Sequence, residues 1–487
     1  MNIQPESNPT NKNIVLIITT VASFFMTFMG SAINIALPRI GTEFDMDVIT
    51  LGWVSTAYML ASAALLVPFG RIADMKGRRK IFILGNIIFF LGSILSAISL
   101  SGVMLLIARA VQGIGGSAIF ATSVAILTSA FPMEERGKVL GINTASVYLG
   151  LSLGPVLGGL LTQYTGWKSI FLISSITTVV VTIGAFWKLR GEAVETRSDK
   201  FDLTGSVIYI LALVLTMYGV SQLPDIPAFW FIGSGFVATA LFFWWETRTQ
   251  YPLINMGMFR NNRGYTFSNL AALVNYSGTW AIAFLLSLYL QYIKGFDPRM
   301  AGIILITSPV VQAIFSPLFG RLSDRVEPRI LASVGMAVTA LGIGLLSFVS
   351  QDTTIAFIIT SLVIVGFGFA LFSSPNTNAI MSSADRQFYG VASATLATMR
   401  QLGMMVSMGI VWVVFAIVIG RVEITPEYHE AFIRSSRIIF LISALLCASA
   451  ISFSLTRGKI HPNTDRMSVR DSNNQNNQRM QGERGQK

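Results

Sequence analysis

Gly70-Arg71-Ile72-Ala73-Asp74-Met75-Lys76-Gly77-Arg78-Arg79-Lys80 is a charged turn set between two apolar runs of membrane-spanning length. Its first five positions return as Gly320-Arg321-Leu322-Ser323-Asp324, an offset of 250 from Gly70 to Gly320. Gly141 and Gly390 each open a Gly/Ser-studded helix, and they stand 249 apart. Two features at nearly one offset predict a chain built from duplicated halves. The bland account, a basic loop obeying membrane topology, explains the arginines and lysines. It leaves the Gly-x-x-x-Asp frame and its second copy unexplained.

The chain of 487 residues is 53% hydrophobic and only 12% charged, about half the charge of an ordinary soluble domain. It has too few charges to coat a water-facing surface. About twenty apolar residues cross the hydrocarbon as a helix, and fourteen such spans are predicted. They lie near 14–37, 51–70, 80–100, 103–130, 139–161, 168–189, 203–222, 228–246, 266–291, 298–319, 330–349, 354–374, 390–419 and 436–456. The loops between them alternate in charge. One set carries Arg71 to Lys80, Arg136 and Lys138, Lys188 and Arg190, Arg260 and Arg263, Arg321 to Arg329, Arg386, and Arg457. The other is neutral or acidic, with Glu43, Asp45, Asp47, Asp225, Asp352, Glu423, Glu427 and Glu430. Basic loops stay cytoplasmic, so the expectation is a multi-pass plasma-membrane protein with both termini inside.

The net charge of +11 is thereby accounted for by topology. Nucleic acid is not an expected partner, because no basic patch is interleaved with stacking aromatics. Cys447 is the one cysteine, and the histidines are His429 and His461. No disulfide framework and no metal site are expected. No Gly-x-x-x-x-Gly-Lys-Ser/Thr loop occurs, so ATP-driven pumping and a bound cofactor are not expected. No catalytic cluster suggests an enzyme. The segment 1–13 lacks a basic n-region and does not read as a cleaved leader. The Asn-, Gln- and Arg-rich tail after His461 is expected to be disordered.

Within the spans, Arg109 is a charge in an apolar run, which costs about 3 kcal/mol on insertion scales and marks a functional candidate. Snorkelling to a membrane face is its alternative. Pro155, amid Gly150, Gly154, Gly158 and Gly159, removes a backbone hydrogen bond and bends its helix.

The charged turn closely resembles the signature between helices 2 and 3 of the major facilitator superfamily. Arg109-Ala110-Val111-Gln112-Gly113-Ile114-Gly115-Gly116 resembles its fourth-helix signature, and 150–159 the fifth-helix signature of its drug antiporters. Asn34-Ile35-Ala36-Leu37-Pro38, Leu290-Gln291, Gly295-Phe296, Ala301-Gly302, Gly390 to Ser393 and Arg400-Gln401-Leu402-Gly403 are similar to the fourteen-span drug:proton antiporter branch.

The resemblance implies an all-α integral membrane fold of two six-helix halves plus two extra central helices. Its divisions are a 1–13 terminus, halves at 14–190 and 263–456, inserted spans at 203–248 and a 457–487 tail. It implies a secondary active exporter of amphipathic small molecules that works as a monomer in the lipid bilayer with protons as coupling ion. A facilitator or importer of a metabolite is the alternative. Gly70, Asp74, Gly77 and Arg78, echoed by Asp324 and Arg325, form the expected latch, with Gly70 admitting a close helix and Asp74 capping a neighbouring helix N-terminus. Arg109, Gln112 and Gly113 would assist coupling. The cavity between the halves is expected to draw on Asn34, Asn143, Tyr148, Asn275, Tyr276, Trp280, Gln312 and Arg400. One position departs from the branch: Met29 stands where many members carry aspartate, and no span has Asp or Glu at its middle.

Overall fold

The computed structural model describes residues 12–189, 201–254, 256–323, 325–384 and 389–458. The expected disordered tail, the termini and Asp324 lie outside the described residues. Fourteen segments are long and apolar enough to cross a membrane, and no strand occurs among the described residues.

The first half comprises α1 (Lys12–Phe44), α2 (Val48–Lys76), α3 (Arg78–Ala97), α4 (Gly102–Ala130), α5 (Met133–Tyr164) and α6 (Lys168–Lys188). Two inserted spans follow, α7 (Leu203–Ser221) and α8 (Ile226–Glu246), then a short α9 (Met256–Asn261). The second half opens with two broken spans. The first is α10 (Arg263–Thr279), α11 (Ala281–Leu288) and a π turn at Tyr289–Ile293; the second is α12 (Pro298–Leu305) and α13 (Thr307–Leu322). It closes with α14 (Pro328–Leu346), α15 (Ile355–Ser383), α16 (Tyr389–Val418) and α17 (His429–Thr456).

Several helices overrun the spans read from apolarity; α1 reaches Phe44 and α15 reaches Ser383. Hydropathy marks only the stretch covered by hydrocarbon, whereas helical hydrogen bonding runs on until a cap stops it. Asp47 starts α2, its carboxylate accepting from the N–H groups of Ile49 and Thr50 at 2.9 and 3.0 Å, an N-cap arrangement. Gly77 ends it at φ 101°, a conformation open to glycine.

Small residues bring the helices together, as expected where lipid supplies no hydrophobic drive between them. In the first half, a Cβ on Gly115 would stand 2.3 Å from the Phe89 backbone N; in the second, one on Gly335 would stand 2.5 Å from that of Phe372. A glycine against a facing backbone therefore joins α3 to α4 and α14 to α15, with the glycine on α4 in the first pair and on α14 in the second. Large apolar side chains such as Trp187, Trp230 and Phe236 point outward, as a bilayer-facing surface requires.

The ends of the bundle differ. One gathers the turns carrying Arg71 to Lys80, Arg321 to Arg329, and Arg457 (the basic end). The other holds the turns with Glu43, Asp45, Asp47, Asp352 and Glu423 (the acidic end). The inserted pair touches both halves. Tyr209 of α7 donates to the Ala63 carbonyl of α2 at 3.3 Å. Arg421, past α16, donates to the Ser221 carbonyl and to Gln222 Oε1, each at 2.8 Å.

Candidate functional site

Arg109 is fully buried, so it does not snorkel. Its Nε donates to the Val54 carbonyl of α2 at 2.9 Å, and Nη1 donates to Gln112 Oε1. Gln112 Nε2 passes the chain on to Ser93 Oγ of α3 at 2.8 Å. The guanidinium lies 4.7 Å from the Tyr58 ring centroid and 5.7 Å from that of Phe171, geometry suited to cation–π attraction. Gly113 makes the pocket possible, because a Cβ there would stand 2.3 Å from the Tyr58 carbonyl oxygen. The three fourth-helix candidates thus form one unit inside the first half.

The halves meet at the acidic end. Pro38 has no N–H to offer the carbonyl four residues back. That carbonyl, on Asn34, accepts instead from Ser287 Oγ of the second half at 2.6 Å. Gln291 Nε2 donates to the Ile35 carbonyl at 3.0 Å, and the Val48 N–H to the Val422 carbonyl at 3.0 Å. Trp53 and Trp412 pack with ring centroids 4.8 Å apart.

The fifth-helix motif has two faces. Gly150, Gly154 and Gly158 face α1, where each Cβ would meet atoms of Phe24 to Ala32 at 2.3 to 2.8 Å. Gly159 faces Pro298 of α12, and Gly302 of α12 faces the Pro155 carbonyl. Pro155 repeats the behaviour of Pro38, since the Leu151 carbonyl it leaves free accepts from Ser31 Oγ at 3.0 Å.

At mid-depth, polar side chains from both halves converge. Tyr148 of α5 and Ser373 of α15 share a hydrogen bond of 2.5 Å across the interface. Arg400 of α16 lies beside Tyr148, with its guanidinium 5.5 Å from the Tyr276 ring centroid. It donates from Nη2 to Thr377 Oγ1 at 3.2 Å, while its buried Nε has no partner. Gln401 Nε2 donates to Ser62 Oγ of α2 at 3.2 Å. Tyr148, Tyr276 and Arg400 were expected here; Ser373, Thr377 and Ser62 were not. The signal for Ser373 and Thr377 was the polar run Ser373-Ser374-Pro375-Asn376-Thr377 within an apolar span; Ser62 on α2 carried none.

Other cavity candidates do not join this cluster through any hydrogen bond. Asn34 Oδ1 accepts from Ser55 Oγ at 3.0 Å within its own half. Asn143 is buried on α5, its Oδ1 unpartnered. Asn275 is wholly buried with neither amide atom partnered. Trp280 marks the break between α10 and α11, and Gln312 is buried on α13.

At the basic end, Arg78 binds Asp74 Oδ1 through Nε and Nη2, both at 3.1 Å, and the Ala125 carbonyl through Nη1 at 3.2 Å. The pair stays within the first half, and Asp74 accepts no helix N-terminal N–H among the described residues. Gly70 departs from its expected role. The nearest atom to a Cβ there is Ala121 Cβ at 4.0 Å, and at Gly320 it is Ser374 Cβ at 3.9 Å. Both glycines leave space in this conformation, and at Gly70 a tight helix contact was expected. Arg325 is exposed on the turn after α13. No hydrogen bond or ion pair between described residues joins the halves at this end.

The sequence also missed Arg457, which read as a topology charge. It is 3% exposed, and its Nη1 donates to Ser268 Oγ and Asn376 Oδ1, both at 3.2 Å. Burial pushes it down to about 10, against the opposing pull of Glu327. No group of three or more His, Cys, Asp or Glu that could hold a metal occurs among the described residues.

The family model described as Major Facilitator Superfamily matches residues 19–408 and 268–471. The chain is 29% identical to the riboflavin transporter RibZ of Clostridioides difficile (strain 630), over 90% of this chain and 95% of that one. It is 30% identical to the multidrug resistance protein Stp of Mycobacterium tuberculosis (strain ATCC 25618 / H37Rv), over 83% of this chain and 76% of that one. Its fold is similar to that of a bacterial homologue of the human lysosomal transporter Spinster in an inward-facing, unoccupied conformation. The TM-score is 0.68 at 16% identity, over 93% of this chain and 97% of the other.

Proposed function

The chain belongs to the major facilitator superfamily of membrane transporters, and on that premise we propose that it exports amphipathic organic compounds by proton-coupled alternating access. The observation that carries this reading is the mid-depth cluster of Tyr148, Ser373, Tyr276 and Arg400, drawn from both halves and holding an unpartnered guanidinium N–H. Apolar walls with a few convergent polar groups suit an amphipathic ligand. Arg400 favours compounds that offer it a carbonyl or carboxylate oxygen. Export as the direction rests on the 150–159 segment and on relatives such as the multidrug resistance protein.

In this reading the basic end faces the cytoplasm, both termini are inside, and the protein sits in the plasma membrane as a functional monomer. The halves 14–190 and 263–456 rock against each other. The bonds at the acidic end close the outer side, and the Asp74–Arg78 pair belongs to the latch that forms when the inner side closes.

A second reading, a metabolite facilitator or importer without proton coupling, draws on Met29, which is fully buried where a carboxylate would serve coupling. The riboflavin transporter among the relatives favours it too. Movement of a fluorescent amphipathic dye in proteoliposomes of known orientation, with and without an imposed pH gradient, separates the two. Dye accumulation driven by the gradient with proton counterflow is expected; movement indifferent to the gradient would leave the second reading.

A further inference from the structure

The inserted spans carry two buried carboxylates that neither half-to-half packing nor topology explains. Asp202 caps α7, its Oδ1 accepting from the Gly205 N–H at 2.8 Å. The Trp245 indole N–H of α8 reaches both its oxygens, at 3.1 and 2.9 Å. Glu246 ends α8 and is 3% exposed. Its Oε2 accepts from the Ile254 N–H at 2.9 Å, but its buried Oε1 has no partner.

That free oxygen and Asp202 Oδ2 flank one small space. A Cβ on Gly205 would stand 2.5 Å from Asp202 Oδ2 and 3.1 Å from Glu246 Oε1. Glycine therefore keeps open the gap between the two carboxylates.

The charged and titratable neighbours do not fill it. Tyr209 of α7 donates to the Ala63 carbonyl instead. Arg248, just past α8, stacks 4.6 Å from the Trp244 ring centroid, and Tyr251 bonds neither acid. No lysine, arginine or histidine among the described residues pairs with either carboxylate.

We propose that Glu246 and Asp202 form a proton-binding carboxyl pair at the foot of the two inserted spans. Asp202 accepts from the Gly205 N–H and the Trp245 indole N–H, so it faces Glu246 as an acceptor. Glu246 takes one proton from solution on Oε1 and donates it toward Asp202 Oδ2, and the same proton returns to solution on release. Two facing carboxylates without a cation repel each other, and an unpaired oxygen in a water-poor site is costly. A single shared proton answers both. Glu246 Oε2 also holds Ile254, in the segment that leads through α9 into the second half, while Tyr209 ties α7 to the first. Proton uptake is thus placed where it can act on the joint between the halves, which rests on the proton-coupled reading above.

The test is dicyclohexylcarbodiimide treatment of the full-length protein in proteoliposomes over a range of pH, with the modified carboxyl located by peptide mass spectrometry. This reagent attacks protonated carboxyls in apolar sites and needs no transport. Labelling at Glu246 that falls as pH rises, and is lost in Gly205→Ala with both acids still present, is expected. Absence of label on Glu246 at every pH, or label indifferent to pH, would overturn the site. The Glu246→Gln protein is expected to lose gradient-driven accumulation of dye while still letting dye equilibrate. Accumulation that persists at full strength would overturn the coupling role. Failure of the wild type to respond to a gradient would strike the transport reading, and the labelling would still decide the proton site.

Discussion

Arg109 and Arg400 are both arginines inside membrane spans, and the protein treats them in opposite ways. Arg109 is closed in by α2, α3 and α6, with directed hydrogen bonds and two aromatic rings. It belongs wholly to one half, so it can travel with that half unchanged. Arg400 stands at the seam, bonded to Thr377, stacked on Tyr276 and beside Tyr148, with its Nε–H left over. Each keeps one buried N–H without a partner, Nη2 on Arg109 and Nε on Arg400, so the difference lies in their surroundings: one is locked inside a single half, the other faces both. In the proposed mechanism, position relative to the boundary between the halves separates the two arginines better than depth in the membrane does.

The largest test of that contrast is Arg109→Ala. It would strip partners from the Val54 carbonyl and Gln112, and hydrogen bonds to a charged group contribute about 1.5–3 kcal/mol each. A loss of transport of at least about tenfold, with lowered abundance, is expected from dye efflux normalised to immunoblot. Near-normal efflux would make Arg109 mere packing.

Arg400→Gln comes next. Abundance is expected to hold, while the apparent KM for carbonyl- or carboxylate-bearing compounds rises about tenfold, the scale of one charge-assisted contact. An equal rise for purely cationic compounds would break the contrast, because the side chain would then be shaping the wall and binding nothing.

A smaller shift is expected from Tyr148→Phe. It deletes one neutral hydrogen bond between the halves, worth about 1 kcal/mol, and should move the balance of access about fivefold. Cysteine accessibility at the two ends of the bundle reads that balance. Asp74→Asn should alter stability least, since exposed ion pairs contribute about 1 kcal/mol or less. Its expected effect is slower export at normal abundance, and unchanged export would remove Asp74 from the latch.

The architecture was legible because its signals are repetitive. Fourteen apolar runs, alternating loop charge and the duplicated Gly-x-x-x-Asp turn all point the same way. The site was legible only in part. Arg400, Tyr148 and Tyr276 stand out as polar or aromatic groups in apolar surroundings, but Asn34 looks the same in sequence and is bonded inside its own half. Periodicity does not say which partner an amide will meet. Asp202 and Glu246 escaped notice because acids at span ends ordinarily face water. Only folding shows that Trp245, Gly205 and Ile254 enclose them.

The prolines of α1 and α5 carry a further consequence. The acceptors they release, on Asn34 and Leu151, are main-chain atoms. Exchanging the side chain at position 34 or 151 does not remove them. In the proposed orientation the closure at Asn34 is therefore anchored in main-chain geometry, and the side chains of the mid-depth cluster are at liberty to diverge. A lineage could change what it carries without having to reinvent the gate.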